Sequence, residues 1–256
     1  FVGFSLAKKL LETNKKTEVH GIDNLSKYYD PKLKKSRLKI LKNYPNFFFN
    51  NLSICNFKKL YELINNNKFD KIIHLAAQAG VRYSFEHPKS YLDTNINGTY
   101  NILEIIKNSK PKHFIFSSTS STYGFTNKKT SFIESNESNF PISLYASTKK
   151  SCEVMIHNYS HNFGIPSTVL RFFTVYGPWG RPDMALFKFT RAILENKPIE
   201  VFNSGKLWRD FTYIDDLVIS IIKLLKITPS IGKKIPNDSI SKNAPYRTVN
   251  IGNQKA

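Results

Sequence analysis

FIFSSTSSTYG (Phe114–Gly124) and SLYASTKK (Ser143–Lys150), joined by a polar loop, frame the reading of the whole chain. Phe114–Phe116 is an apolar run that stops at a Ser/Thr cluster, the pattern of a buried strand ending in hydroxyls. Tyr145 and Lys149 are four residues apart, so on a helix they share one face. A free tyrosine titrates near pH ~10 and is a poor base at neutrality unless a nearby cation stabilises the phenolate. Lys149, one helical turn on, is placed to do that. Alone, Tyr-x-x-x-Lys also fits an ordinary amphipathic helix. Its neighbours make it a candidate set for taking a proton from an alcohol.

Outward from this core, apolar runs alternate with helical periodicity. Phe1-Val2-Gly3 leads into an amphipathic helix, FSLAKKLLET (Phe4–Thr13), with Leu6, Leu10 and Leu11 on its apolar side, and a strand follows near Glu18–Ile22. A basic, tyrosine-containing insertion covers Ser26–Asn43. Strands are expected at Asn46–Leu52, Lys71–Leu75 and Ser167–Phe173, and helices at Phe57–Asn67, Ser90–Ser109 and from Tyr145. This alternation predicts an α/β fold with a parallel sheet and helices on both faces. Asp23, Ser53, Ala76-Ala77-Gln78, Ser117–Ser121 and Thr174 all fall just after predicted strands. In an open parallel sheet those positions line the carboxyl edge, where ligands bind. Asp23, about 20 residues after Gly3, suits a ribose diol and would repel a 2′-phosphate, which favours NAD over NADP.

The 256 residues and 41% hydrophobic content allow one large domain or a domain with a small appendage. The longest apolar run, Leu217–Leu225, is interrupted by Lys223 and falls short of the ~20 residues of a membrane span. The net charge of +19 invites a nucleic-acid reading, but the lysines are dispersed and no nucleic-acid motif accompanies them. No nucleic acid and no membrane are therefore expected among the partners. Cys55 and Cys152 form no metal or redox spacing, and no metal is expected. Free thiols in a reducing compartment are the default, and a cytoplasmic location is expected.

IIHLAAQAGVRYS (Ile72–Ser84), LYASTKK (Leu144–Lys150), RFFTVYGPWGRPDMALFKFTRAIL (Arg171–Leu194) and RDFTYIDD (Arg209–Asp216) resemble the extended short-chain dehydrogenase/reductases, and within them the UDP-glucuronate 4-epimerases. The resemblance runs from Phe1 to VNIGN (Val249–Asn253). It implies a Rossmann-type doubly wound parallel sheet with a small C-terminal substrate-binding subdomain. Residues 1–174 would form the NAD-binding domain, and 175–256 an interleaved nucleotide-sugar region. It also implies that the first strand and the C-terminal part are missing, so that the 256 residues alone would fold poorly and hold NAD weakly.

The implied activity is NAD-dependent C4 epimerisation of UDP-glucuronate to UDP-galacturonate through a 4-keto sugar, in the service of polysaccharide synthesis. Tyr145 would be the base, Lys149 its pKa-lowering partner and Thr119 a hydrogen-bond donor to the 4-oxygen. Implied NAD contacts are Gly3, Asp23, Asn24, Ser53, Ile54, Ala76, Ala77, Gln78, Asn95, Lys149 and Phe173. Implied UDP-sugar contacts are Arg82, Ser120, Ser121, Thr174, Arg181, Ala185, Leu186, Phe187, Phe202 and Arg209. Arg209 would clamp the diphosphate. Related 4,6-dehydratases carry Asp-Glu after the catalytic Thr, and decarboxylases a Glu at the position of Ser121. Two serines there imply that the carboxylate is bound and kept. Where the family usually has Asp, this chain has Ser53. The alternatives are a 4-epimerase of neutral UDP-sugars or a UDP-glucuronate decarboxylase. A homodimer is implied, built from the Ser90–Ser109 and Tyr145–Asn162 helices.

Overall fold

The computed structural model describes residues 1–125, 131–205, 208–232 and 238–253, with the side chains of 202 and 203 left aside. In chain order the elements are α1 (Val2–Thr13), β1 (Val19–Asp23), α2 (Pro31–Leu41), β2 (Phe47–Asn51), α3 (Phe57–Asn67) and β3 (Lys71–His74). Next come the short α4 (Tyr83–Glu86) and α5 (Pro88–Tyr91), a π-helical segment Leu92–Asn97, α6 (Gly98–Ser109) and β4 (His113–Thr119). A 3-10 turn at Ser120–Tyr123 leads to α7 (Leu144–Phe163), β5 (Ser167–Phe172), β6 (Thr174–Tyr176), α8 (Ala185–Leu194), β7 (Phe211–Tyr213), α9 (Ile214–Leu225) and β8 (Tyr246–Ile251).

The described strands all pair in parallel, as the alternation of strands and helices requires. Two compact units result. One comprises Leu52–Phe173 and Lys223–Ile251; the other comprises Phe1–Asn51, Thr174–Ile222 and the residues from Gly252.

The first unit holds a four-stranded sheet in the order β3-β4-β5-β8. β4 is interior and buried along its whole length, which is why Phe114-Ile115-Phe116 reads as an unbroken apolar run rather than an alternating one. α7 packs on β4, β5 and the 3-10 turn, and also on the π segment. Gly98 lets α6 approach closely. A Cβ there would stand 2.5 Å from Ile54 Cδ1. The helix expected over Ser90–Ser109 is one run with a π-helical middle. That wider turn brings Asn95 to 1% exposure, and such bulges gather at functional positions.

In the second unit β1 pairs with β2, and β6 with β7. Phe4, Ala7, Leu11, Leu41 and Phe47 form its core cluster. The segment read as a basic insertion contains α2, with Asp30 as N-cap accepting from Lys32 N at 2.8 Å and Pro31 opening the helix. Only Arg37 and Leu41 are buried on it, so its apolar periodicity is faint. Among the described residues, no helix is long and apolar enough to cross a membrane.

Candidate active site

β4 ends at Thr119, and the chain turns at once into the 3-10 turn that carries Ser120 and Ser121. Thr119 Oγ1 caps that turn by accepting from Ser121 N at 3.2 Å, and it donates to Ser121 Oγ at 3.2 Å. Two of the three hydroxyls predicted to face the sugar, those of Thr119 and Ser121, are thus fixed to one another at a strand terminus.

α7 begins at Leu144 with Ser143 as N-cap, whose Oγ accepts from Ala146 N at 3.2 Å. The cap places Tyr145 in the first helical turn, half-buried, with its ring edge-on to Tyr91 at 6.2 Å. Lys149 follows on the same face and is 2% exposed. Its ammonium lies 4.3 Å from the Phe116 ring centroid and has no hydrogen-bond acceptor among the described residues. Burial lowers its pKa to about 8, against the raising influence of Cys152 and Glu153. It therefore remains mostly charged at neutral pH, and its donors are uncommitted.

Around this pair the polar groups are closed into a network. Asn95 Oδ1 accepts from Gln78 N at 2.8 Å, and Asn95 Nδ2 donates to Gln78 O at 3.1 Å. The same Nδ2 reaches Thr148 Oγ1 at 3.0 Å, and Thr148 Oγ1 donates to the Tyr145 carbonyl at 2.9 Å. Tyr91 OH donates to the Ala79 and Gly80 carbonyls at 2.8 and 2.5 Å. The Ala76–Gly80 loop after β3 is thereby clamped to the start of α7. His74 beneath it is fully buried, and desolvation pushes its pKa down to about 3, with Lys149 adding to the effect. It is a neutral hydrogen-bonding group to Thr99 at 3.0 Å. One turn beyond Lys149, Glu153 accepts from Ser118 Oγ at 2.5 Å and pairs with Arg171 on β5 at 2.7 Å. Arg171 in turn lies 4.7 Å from the centroid of the Tyr123 ring, at the end of the 3-10 turn.

Sequence reasoning placed Thr119, Tyr145, Lys149, Gln78 and Asn95, and the structure brings these together in one unit. It did not find Tyr91, Thr148 or the Glu153–Arg171 pair. Their partners lie 11 to 53 residues away in sequence, or across strands, so no local spacing signals them. Ser53 is committed locally, accepting from Cys55 N at 3.2 Å, and Ile54 is buried against α6. Arg82 is exposed at the start of α4. The Phe173 N–H donates to Ile251 O at 3.3 Å just past β5.

In the other unit, Gly3 lies in the first turn of α1, and Asp23 ends β1 with a half-exposed carboxylate. Asp23 Oδ1 accepts from Leu25 N at 2.7 Å, and Asn24 Oδ1 accepts from Ser26 N at 3.1 Å. Asp23 Oδ2 has no partner among the described residues and is open to a diol. Thr174 opens β6. Arg181 forms a bidentate pair with Asp183. Ala185, Leu186 and Phe187 form the first turn of α8, where a groove of about 310 Å³ is lined by Pro182, Phe187 and Arg191. Arg209 is exposed and donates to the Trp208 carbonyl at 2.7 Å. The side chain of Phe202 lies outside the described residues.

The residues fit a dinucleotide with a 2′-hydroxyl. In one unit the buried Lys149 donors, and in the other the Asp23 oxygen without a partner among the described residues, each suit a ribose hydroxyl.

A family model described as the NAD dependent epimerase/dehydratase family matches residues 1–237. The chain is 46% identical over 256 residues to a probable UDP-glucuronate 4-epimerase of Rhizobium meliloti (strain 1021), covering 98% of this chain and 74% of that one. It is 47% identical over 243 residues to UDP-glucuronate 4-epimerase 1 of Arabidopsis thaliana, covering 92% of this chain and 55% of that one. The fold superposes on the crystal structure of a Bacillus cereus UDP-glucuronic acid 4-epimerase in complex with UDP-glucuronic acid and NAD. The TM-score is 0.84 at 36% identity, over 98% of this chain and 74% of that one.

Proposed function

The chain belongs to the NAD dependent epimerase/dehydratase family, and from that premise we propose that it epimerises UDP-glucuronate at C4 to UDP-galacturonate. The observation that carries the chemistry is the buried, uncommitted ammonium of Lys149 one turn from Tyr145, beside the hydroxyl cluster that ends β4.

Tyr145 takes the proton of the sugar 4-hydroxyl, and Lys149 lowers the cost of the phenolate by its charge. Thr119 donates a hydrogen bond to the 4-oxygen. The chemistry that bound NAD supplies is uptake of the C4 hydride and its return to the opposite face of the 4-keto sugar. Lys149 and Asp23 hold ribose hydroxyls, and the clamped Ala76–Gln78 loop offers fixed backbone groups. Ser120 and Ser121 hydrogen-bond the sugar carboxylate without providing a second acid or base. That supports epimerisation over water loss or decarboxylation. Arg181, Arg209 and the first turn of α8 bind the UDP end. Residues 1–174 then serve mainly the cofactor and 175–256 the nucleotide sugar. The same reading has the enzyme working in the cytoplasm as a homodimer.

The test is incubation of UDP-glucuronate with the protein and NAD, followed by NMR of the sugar products. UDP-galacturonate is the expected product. A UDP-pentose would replace the carboxylate-retaining role of Ser120-Ser121 with a decarboxylase reading. Turnover of UDP-glucose or UDP-N-acetylglucosamine alone would remove the carboxylate assignment and leave the C4 chemistry.

A further inference from the structure

The proposed chemistry does not use α2 or the loop before it, yet this segment contains a buried cation with no carboxylate partner among the described residues. Arg37 is 4% exposed. Its Nη1 donates to Tyr29 OH at 2.8 Å, while Nη2 donates to the carbonyls of Trp179 at 2.5 Å and Gly180 at 3.1 Å. Its Nε has no partner among the described residues. Burying a guanidinium against neutral acceptors is costly, so a sequence that keeps it there gains something local from the contact.

The contact falls where the backbone is strained. Trp179 adopts φ +63, a left-handed conformation that a bulky residue takes only when its surroundings hold it there. Arg37 grips the carbonyl of that residue and of the next. The Trp179 ring is also held edge-on to Phe4 at 5.7 Å. A second tie joins the same two segments three residues further on, at Asp183. Tyr28 OH donates to Asp183 Oδ2 at 3.0 Å, and the Arg181 guanidinium lies 5.9 Å from the centroid of the Tyr28 ring. The 177–184 loop leads directly into α8.

We propose that Arg37 is a positioning residue that holds the strained 177–184 loop in its nucleotide-sugar-binding conformation, with Tyr28 as its auxiliary. The inference rests on the reading of Arg181 and the start of α8 as UDP-sugar contacts. It assigns a function to the basic insertion: α2 is a buttress for substrate binding, not a surface for an anionic partner.

The test compares the wild-type protein with Arg37→Met, Arg37→Lys and Tyr28→Phe by steady-state kinetics on UDP-glucuronate. It adds NAD content, melting temperature and, in a Trp208→Phe background, Trp179 emission. Arg37→Met is expected to raise KM about tenfold with kcat within about threefold, since several charge-assisted bonds are lost. NAD content should stay unchanged and Trp179 emission should shift. Arg37→Lys should recover part of the KM, and Tyr28→Phe should raise it about threefold. A role limited to stability would lower the melting temperature and leave KM alone. KM within twofold of wild type in the folded variants overturns the proposal while leaving the epimerase reading intact. If Arg37→Met does not fold, Arg37→Lys and Tyr28→Phe decide. If the wild type itself does not turn over UDP-glucuronate, the functional reading falls. Unchanged Trp179 emission in the variants then overturns the positioning role, and a shift sustains its structural half.

Discussion

Two helices carry predicted site residues in their first turns, and they are built in opposite ways. α7 opens on a side-chain cap and buries Ala146, Thr148, Lys149, Cys152 and Glu153. α8 opens on Met184 with no side-chain cap and buries none of its residues, leaving Leu186, Phe187, Ile193 and Leu194 exposed. The polar helix is inside and the apolar one is outside, the reverse of what hydrophobicity alone would arrange. On the proposed function, the difference matches what each would do. Proton transfer needs a charge whose field is not screened by water, which means burying Lys149 and surrounding it with satisfied polar groups. Recognition of a nucleotide sugar needs apolar and hydrogen-bonding surface that stays open until the ligand covers it.

The contrast breaks if α7 turns out to be tolerant. Tyr145→Phe keeps the ring and its packing on Tyr91 but removes the proton acceptor. Turnover should fall by about 10³-fold or more with unchanged circular dichroism. Residual activity within tenfold would remove Tyr145 from the base role.

Next in size is the Glu153–Arg171 pair. Glu153→Ala strands the Arg171 charge and deprives Ser118 of its acceptor. Urea unfolding should show a loss of about 3–5 kcal/mol. A loss below about 1 kcal/mol would mean that the pair is not the tie between α7 and the sheet.

Lys149 sharpens the comparison because it should trade stability for function. Its pKa is lowered from the ordinary 10.5 to about 8 by burial. Below pH 8 the folded protein therefore carries a desolvated charge that the unfolded chain does not have to desolvate. Between pH 8 and 10.5 the unfolded state binds more protons than the folded one, so stability rises with pH in that window. Lys149→Met should abolish turnover yet stabilise the NAD-free protein, by on the order of 3 kcal/mol below pH 8. That advantage should shrink as pH approaches 10.5. A destabilised variant, or an advantage independent of pH, would contradict the placement of the charge.

The smallest effect belongs to α8. Leu194→Ser, at a residue 79% exposed, should change stability by less than about 0.5 kcal/mol. A loss of 2 kcal/mol would show that the face is covered.

What the sequence disclosed divides along the same line. β4 was legible because an interior parallel strand is apolar without alternation. Tyr145 and Lys149 were legible because helical spacing alone puts them on one face. The π-helical turn at Leu92–Asn97 was not, since its extra residue per turn is held by Asn95 reaching Gln78 and Thr148, bonds that exist only after folding. α2 left a readable Asp30-Pro31 start. Its Lys-rich body, with only Arg37 and Leu41 buried, hid the periodicity. No local spacing marks Arg37, Glu153 and Arg171 as buried, since their partners reach them only on folding.

The central claim is that the sugar is oxidised and reduced at C4 by a hydride that never leaves the site, with its carboxylate kept. UDP-glucuronate deuterated at C4, incubated with the protein and NAD in ordinary water, measures this directly. The expected product is UDP-galacturonate that retains deuterium at C4. Deuterium lost to solvent, or a UDP-pentose in place of UDP-galacturonate, would contradict it.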